Sequence, residues 1–368
     1  KMVGDIPEDD LVPHNVATQS VKRCGGLPIL VLPVATALKG KPLSIWEDAL
    51  DRLDSGLLKN GDNMQSLAYS ALELSCHHLG ADQKSLFLFC GLLEPSDIDI
   101  GDIVKYMVGL SLFKDCLTVK ATRSRVLKLL GDLTSSCLLL KGDNNDSLTM
   151  HDIVHNFVRG YSDQVFSPAD YSMFVGWPDK RALAQLTDIS LRYCQSPNLP
   201  TRLECPKLQI FLFYQLPGTL DDGFFDALEE LRVLDLTEAC LSPHPSSLRR
   251  LRNLQTLCLD HCIVEDIGVI GNMIQLKILS LMGTNIVYLP EEIGKLARLQ
   301  LLDLRRCMEL KKISPGILSS LAHLEELYMG DSFTQWGLRD KSDGQQINAD
   351  LAELKKLEKL TTLEIGIT

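Results

Sequence analysis

The stretch that decides the fold is LRNLQTLCLDHCIVEDIGVIGNMIQLKILSLMGTNIVYLPEEIGKLARLQLLDLRRC, residues 251–307. It contains the pattern L-x-x-L-x-L three times, with first leucines, or anchors, at Leu254, Leu276 and Leu299. On both sides of this stretch the pattern recurs, with other apolar residues at some of the leucine positions. These further anchors are Leu186, Leu208, Leu231, Leu324 and Leu360. Self-similarity at a period of about 20–29 residues indicates stacked units rather than one compact core.

A second periodic pattern, ahead of several anchors, supports the first. Apolar residues recur at every third position from Pro245 to Leu254, from Pro290 to Leu299 and from Pro315 to Leu324. A short strand followed by a return segment with a three-residue period is typical of a leucine-rich repeat, in which the return is a short helix or 3₁₀ turn. The sequence therefore predicts an α/β solenoid of about eight repeats over residues 183–368. A 36-residue gap before Leu360 predicts an insertion near 331–350, either a recognition loop or a disordered one.

Cysteines follow the same template. Cys194, Cys262 and Cys307 each lie eight residues after an anchor, and Cys240 lies nine after. This slot turns inward in the repeat, so we expect buried structural residues rather than metal ligands. Eleven cysteines without a C-x-x-C pair favour a reduced, intracellular protein.

If the strands line the concave face of the solenoid, the residues between the leucines project from that face. The mixture of charged, aromatic and sulfur-containing side chains suits a protein-binding surface, and an ordinary solvated face is the alternative. The predicted partner-binding residues are Asp235, Thr237, Asp260, Met282, Asp303, Arg305, Tyr328 and Asp331.

Bulk properties exclude several classes. A chain of 368 residues is long enough for two or three domains, and its net charge of −11 argues against binding to nucleic-acid phosphates. The beginning KMVGDIPEDD is unlike a secretory signal. The longest apolar run, residues 27–38, is too short to span a bilayer, so no transmembrane segment is predicted.

The first half predicts helices followed by a hairpin. Residues 66–79, 84–93, 100–109 and 120–133 have helical patterns, and CLLLKGDNNDSLTM (137–150) predicts two strands joined by a turn. A further helix after the hairpin suggests a winged-helix module, which would permit a DNA-binding regulator. The candidate recognition helix, however, has Asp97, Asp99 and Asp102 against a single Lys105.

The stretch TMHDIVHNFV, residues 149–158, contains H-D-x-x-H, close to the H-E-x-x-H signature of zinc peptidases. Asp152 has the features of an N-cap, followed by an apolar helical face. That interpretation leaves His151 before the helix and His155 on its polar side, so no zinc site is expected.

Three motifs resemble a family. GGLPILVLPVATAL (25–38) resembles the G-L-P-L segment, KSLFLFCGLLEPSDIDIGDIVKYMVG (84–109) the F-L-x-C-x-L-F-P stretch, and LTMHDIVHNFV (148–158) the M-H-D segment of plant NB-ARC leucine-rich-repeat disease-resistance proteins. Their order, spacing and repeat tail also match, most closely the coiled-coil class. The resemblance implies a multidomain chain, with a helical and winged-helix (α+β) NB-ARC remnant ahead of the solenoid. Its parts would be a helical part over 1–60, a winged-helix subdomain over 61–165, a linker over 166–182 and repeats over 183–368.

The resemblance also implies site residues. The proline of the G-L-P motif contacts adenine in the family, which gives Pro28, with Gly26 and Leu27, a nucleotide-binding role. The histidine of M-H-D contacts the phosphates of ADP and holds the receptor off. This role falls on His151, flanked by Met150 and Asp152.

One departure matters. No G-x-x-x-x-G-K-[ST] and no Walker-B strand occurs, so the phosphate cradle and the Mg²⁺-binding hydroxyl are missing. If the full-length protein has them, they lie upstream of Lys1. We therefore expect this chain neither to be an enzyme nor to bind ADP or ATP tightly, whereas the intact protein would be a slow ATPase switch.

The leading hypothesis is a fragment of an intracellular plant immune receptor. In the family, the repeats sense a pathogen effector or a guarded host protein and restrain the upstream nucleotide-binding and coiled-coil domains, and activation leads to an oligomer. The expected location is the cytoplasm, or a membrane periphery through the upstream part. The alternatives are a repeat scaffold without nucleotide switching and a winged-helix DNA-binding regulator.

Overall fold

A computed structural model describes residues 11–25, 27–60, 64–93, 95–167, 176–191, 199–216, 218–242, 244–339 and 345–366. Gly26 and Cys194 lie outside these ranges. The α-helices in the described part are α1 (Leu11–Arg23), α2 (Pro28–Leu38), α3 (Leu43–Asn60), α4 (Met64–His77), α5 (Ala81–Cys90), α6 (Ile100–Leu110), α7 (Val119–Ser135), α8 (Asp152–Arg159), α9 (Lys180–Leu183) and α10 (Ile317–Ser320). No helix in these ranges is both long and apolar enough to cross a membrane.

The described residues form two compact units, one from within 1–101 and 124–162 and the other from within 102–123 and 163–368. The break at 162/163 lies close to the boundary predicted at residue 165, and this division has no break near residues 60 or 182. The largest difference is the segment 102–123. It belongs with the repeats, although the sequence interpretation places it in the middle of a winged-helix subdomain.

In the first unit, α2 packs against α4, and α3 packs against both α1 and α4. Pro28 is the first residue of α2, a position where its missing N–H costs no hydrogen bond. Helix α3 begins at Leu43, so Ser44 lies inside its first turn. Buried Leu30, Leu38 and Leu72 belong to the core of this unit, each contributing roughly 1.5–3 kcal/mol by leaving water.

A three-stranded antiparallel sheet completes the first unit. Its strands are β1 (Ile98–Asp99), β2 (Leu140–Lys141) and β3 (Ser147–Thr149), in the order β1-β3-β2. The predicted hairpin is β2 with β3, where Leu140 pairs with Thr149 and Lys141 with Leu148. Helix α8 follows this hairpin, so the chain order agrees with the sequence prediction here.

The second unit contains a nine-stranded parallel sheet, which confirms the α/β leucine-rich-repeat solenoid. Its strands are β4 (Val165–Phe166), β5 (Asp188–Leu191), β6 (Ile210–Phe213), β7 (Val233–Asp235), β9 (Thr256–Cys258), β11 (Ile278–Ser280), β13 (Leu301–Asp303), β15 (Glu326–Met329) and β16 (Thr362–Ile365). Eight of these strands begin two residues after the eight predicted anchors. The ninth, β4, straddles the predicted boundary between the winged-helix subdomain and the linker.

The return segments are short, as the three-residue period predicts. They are the 3₁₀ helices Ser246–Arg250, Gly268–Asn272, Glu291–Lys295 and Leu351–Lys356, together with α10. Two small parallel pairs lie in these connections, β8 (Cys240–Leu241) with β10 (Ile263–Val264) and β12 (Tyr288–Leu289) with β14 (Lys312–Ile313). Anchor and inward strand leucines form one continuous core along the solenoid.

The cysteine slot faces inward, as expected, at Cys262 and Cys307. Both are buried, and each Sγ donates a hydrogen bond to a carbonyl of the preceding repeat, Leu236 at 3.0 Å and Leu281 at 3.1 Å. Burial raises the pKa of the Cys262 thiol to about 12, so it remains a neutral donor. Thr284 fills the slot of the repeat between them, and Cys240 is only half-buried.

The insertion before the last repeat is folded where it is described. Phe333 is fully buried and meets the Trp336 ring edge-on at 4.9 Å. Asn348, 1% exposed, donates Nδ2 hydrogen bonds to the carbonyls of Lys311 (3.0 Å) and Gln335 (3.1 Å). These described parts of the insertion are therefore anchored to the solenoid.

Candidate functional site

The Met150-His151-Asp152 motif lies between β3 and α8, within the first unit. Met150 is buried, and its N–H donates to the carbonyl of Pro95 at 2.7 Å, which fixes the approach to the helix. His151 is exposed and is the N-cap of α8, since its Nδ1 accepts from Ile153 N–H at 3.3 Å. Its outward edge therefore lies at a helix N-terminus, where anions are favoured.

Two details of this motif differ from the prediction. Asp152 is the first helical residue rather than the N-cap, because the histidine takes the cap position. His155 is buried at 4% exposure rather than lying on the polar side of α8. Burial lowers its pKa to about 4, so the ring is neutral at physiological pH. The two histidines therefore occupy different environments, and no group of metal-binding side chains is found in the described part of the chain.

Leu27 and Pro28 form the N-terminal end of α2, also in the first unit. The Leu27 carbonyl accepts from the N–H groups of Leu30 (3.0 Å) and Val31 (2.9 Å), and the Pro28 ring is exposed. No hydrogen bond or ion pair joins Pro28 to His151 among the described residues. Both nevertheless keep exposed faces on the same compact unit.

The concave face is not open as predicted. Asp235, Asp260 and Asp303 are only 3%, 5% and 1% exposed. For the first two, the reason is the segment 102–123, which packs on this face within the second unit and which we call the cover segment. Asp303 is instead buried beneath Arg305, which binds it at 2.6 Å.

Lys105 is the central charge of the cover segment. Its Nζ lies 3.1 Å from Asp102 and 3.3 Å from Asp260. Burial by itself lowers the pKa of Lys105, but Asp102 and Asp260 outweigh it and hold the pKa well above its usual range. The ammonium is therefore charged, and the basic residue considered for DNA recognition is occupied by carboxylates of its own chain.

The Lys105 contact is reinforced on both sides. The Tyr106 hydroxyl donates to Asp235, and the Thr256 hydroxyl donates to the Lys105 carbonyl at 2.8 Å. Gly109 lies directly on the sheet, where a Cβ would overlap the Thr256 side chain and come within 2.9 Å of a Val233 methyl group. Helix α6 thus approaches the strands as closely as its backbone permits.

The far end of the cover segment reaches β15. Val119 N–H donates to the Glu325 carboxylate at 2.8 Å, and Arg123 forms an ion pair with Glu326 at 2.6 Å. Between the two ends, Gln300 donates to the Leu117 carbonyl at 2.9 Å. The cover segment therefore contacts side chains from β7 to β15.

The remaining predicted face residues are more accessible. Arg305 lies 5.0 Å above the Tyr328 ring, and the Tyr328 hydroxyl donates to Glu326 at 2.9 Å. Thr237 and Met282 are half-buried and donate their backbone N–H groups to Asp235 (2.9 Å) and Asp260 (3.0 Å), respectively. Asp331 is exposed, with a positive φ of 51°.

Sequence reasoning missed the cover segment and the residues that receive it, chiefly Thr256, Glu325 and Glu326. A signal was present two residues after the anchors, where side chains project from the concave face. Val233, Ile278 and Leu301 occupy that position and are buried, although an open face would favour polar residues there. An apolar row on the concave face of a repeat predicts that something covers it.

Comparison with known proteins gives consistent relatives. No family model matches the chain. Disease resistance protein At4g27190 of Arabidopsis thaliana is 28% identical over 382 residues, covering 100% of this chain. Disease resistance protein RFL1 is 26% identical over 99% of it, and probable disease resistance protein At4g27220 is 26% identical over 71%, both from the same plant. The chain spans 38%, 37% and 29% of these relatives, respectively.

Solved structures are more distant. The Arabidopsis receptor kinase HAESA, in complex with the peptide hormone IDA and the co-receptor SERK1, has a TM-score of 0.35 and 19% identity over 51% of this chain and 27% of its own. An internalin from Listeria monocytogenes has a TM-score of 0.34 and 13% identity over 50% of this chain and 62% of its own. The relationship therefore rests on the sequences: the chain is a homologue of plant disease-resistance proteins over nearly its whole length.

Proposed function

We propose that this chain is part of a plant immune receptor whose repeats bind a protein partner and keep the receptor inactive until that partner arrives. The partner class is a pathogen effector or a guarded host protein. The observation that carries the proposal is the cover segment, which occupies the concave face through Lys105, Tyr106 and Arg123. A partner for this face has to compete with the chain's own contacts.

Such competition is a two-state switch. A partner shifts the equilibrium only as far as it binds the uncovered repeats more tightly than the covered ones. Uncovering would expose the carboxylates of Asp235, Asp260 and Glu326, which are now neutralised or hydrogen-bonded. The uncovered surface would be acidic, so a partner with basic side chains gains most from it.

Nucleotide control is the second part of the proposal. His151 would contact the phosphates of ADP from the N-terminus of α8, and Pro28 would contact the adenine. A P-loop lysine and Mg²⁺ would come from an upstream domain, with upstream coiled-coil and nucleotide-binding parts restrained until exchange for ATP permits oligomerisation. The exposed edge of His151 and the anion-favouring helix terminus support this assignment.

The experiment is a measurement of ADP retained by the purified full-length protein. His151→Ala and His151→Asn should both lose ADP roughly tenfold to a hundredfold more readily, because a hydrogen bond to a charged group is worth about 1.5–3 kcal/mol. Asparagine keeps an N-cap acceptor, so the pair separates the phosphate contact from helix stability. His77→Ala, at an exposed histidine of α4, is the matched control.

Unchanged ADP retention in both His151 variants would overturn the switch assignment. The chain would then be better described as a repeat scaffold. Loss in the alanine variant alone would assign His151 a capping role and no more.

A further inference from the structure

A cavity of about 290 Å³ lies in the second unit, where the cover segment meets the repeats. Its walls combine basic, polar and apolar side chains from both parts. The basic ones are Lys114, Lys277, Arg298 and His323. None of the residues assigned above to nucleotide binding lines the cavity, and its role rests on the covered and uncovered states proposed above.

The charge of this cavity is one-sided. Four basic side chains line it and no carboxylate does, in a chain with a net charge of −11. The Glu325 carboxylate contacts the lining residue Gln300. It is buried, and its oxygens accept from Val119 N–H (2.8 Å) and from the Gln300 amide (2.9 Å). Those bonds join Glu325 to neutral groups and not to the basic side chains of the lining.

Lys277 and Arg298 hydrogen-bond to neutral groups among the described residues. Lys277 donates to the Ser111 hydroxyl at 2.8 Å, and Arg298 donates to the Gln275 amide oxygen at 2.7 Å. Neither forms an ion pair with a described residue. Burial, and then the charges of Arg298 and Arg232, lower the pKa of Lys277. Like charges held close together repel each other, and an anion bound in the cavity would offset that repulsion by attracting both.

The uncharged lining fits the same ligand. Ser111, Thr118, Thr122 and Gln300 provide hydroxyl and amide groups, while Met107, Val108 and Phe113 form an apolar wall that strengthens electrostatic attraction. Guanidinium and ammonium groups around a small concave site are suited to phosphate oxygens. We propose that this cavity binds a small molecule with clustered phosphate groups, which fastens the cover segment to the repeats.

The fastening follows from where the basic side chains lie. Lys114 belongs to the cover segment, whereas Lys277, Arg298 and His323 belong to the repeats, each directly next to an anchor: Leu276, Leu299 and Leu324. An anion bound to both sets bridges them. The bound ligand thereby stabilises the covered state of the concave face and opposes its release.

The test is calorimetric titration of the chain with inorganic diphosphate, and separately with a sugar bisphosphate, at fixed ionic strength. We expect saturable one-to-one binding of at least one probe. The two probes distinguish a free phosphate ligand from a phosphate ester. Lys114→Gln combined with Arg298→Gln, both at exposed positions, should weaken the dissociation constant at least tenfold.

The control is Lys295→Gln combined with Lys312→Gln, which removes the same charge from exposed positions outside the cavity. Equal weakening by both pairs, or absence of saturable binding to the unaltered chain, overturns the proposal. Binding that is lost only in His151→Ala places the probe elsewhere and also overturns it. Capture of an acidic peptide without binding of either phosphate probe would show a protein docking site instead. Slower amide exchange in residues 107–118 with the probe bound would support the fastening.

Discussion

At the scale of single residues, the most consequential group is the buried ammonium of Lys105. A charge in the interior is tolerated only when its desolvation is matched by close partners, and here Asp102 and Asp260 provide them. Asp260 in turn accepts from the Ser280 hydroxyl at 2.6 Å and from Met282 N–H. Removing the lysine would leave a buried carboxylate without its counter-charge.

We therefore expect Lys105→Met to lower the free energy of unfolding by about 3–5 kcal/mol, the usual cost of breaking a buried pair from one side. Adding Asp260→Asn to Lys105→Met should recover much of that loss, since the unpaired charge disappears while the oxygen can still accept. Urea denaturation of the three proteins, followed by circular dichroism, measures the difference. A double variant no more stable than the single one would contradict the assignment.

The same cluster predicts a pH dependence. Burial raises the pKa of Asp260 above its ordinary value of 3.8, and Lys105 partly offsets that rise. Without the lysine, the folded state binds a proton at Asp260 more tightly than the unfolded state does. The deficit in unfolding free energy caused by Lys105→Met is therefore complete at pH values above the folded-state pKa of Asp260. It shrinks as the pH falls towards 3.8. A deficit that stays constant over this range would exclude Asp260 as its cause.

At the scale of elements, the repeats were predictable because each unit encodes its own register. The leucine spacing fixes where eight of the nine strands of the long sheet begin, and the return period gives the 3₁₀ turns. The cysteine slot also follows, since Cys262 and Cys307 occupy one position of the template. The cover segment was not predictable in this way. Tyr106 and Lys105 meet Asp235 and Asp260 across 129 and 155 residues, and no local pattern relates such distant positions.

The cysteine slot gives a prediction for the repeat as an element. Cys262→Ala should cost about 1–2 kcal/mol, because it removes a buried hydrogen bond to Leu236 and leaves a small void. Cys240→Ala should cost less, since Cys240 is half-buried and has no side-chain hydrogen bond in the described part. Cys262→Thr should remain closer to the unaltered chain, as Thr284 fills the same slot one repeat later. Differential scanning calorimetry gives the order, and equal costs for both alanine variants would refute it.

At the scale of the whole molecule, the function proposed here needs the concave face to have a covered and an uncovered state. Helix α6 meets the sheet at Gly109, where the absence of a side chain allows the contact with Thr256 and Val233. Sequence reasoning assigned this helix to a winged-helix subdomain, whereas contacts place residues 102–123 with the repeats. A side chain added at Gly109 is therefore expected to push the cover segment away from the repeats with no other change in the chain.

We predict that Gly109→Val shifts the chain towards the uncovered state. Forcing extra volume into a packed contact costs about 1–3 kcal/mol, so amide exchange in residues 102–123 should quicken roughly tenfold or more. Gly131→Val is the matched control, because it adds the same side chain to α7, where no described atom beyond the adjacent backbone of that helix lies within 4 Å of the added Cβ. If the cover restrains the receptor, the full-length Gly109→Val protein should trigger a defence response in leaves without a partner, and the Gly131→Val protein should not. Quickened exchange without such a response would retain the cover as a structural contact and remove its inhibitory role.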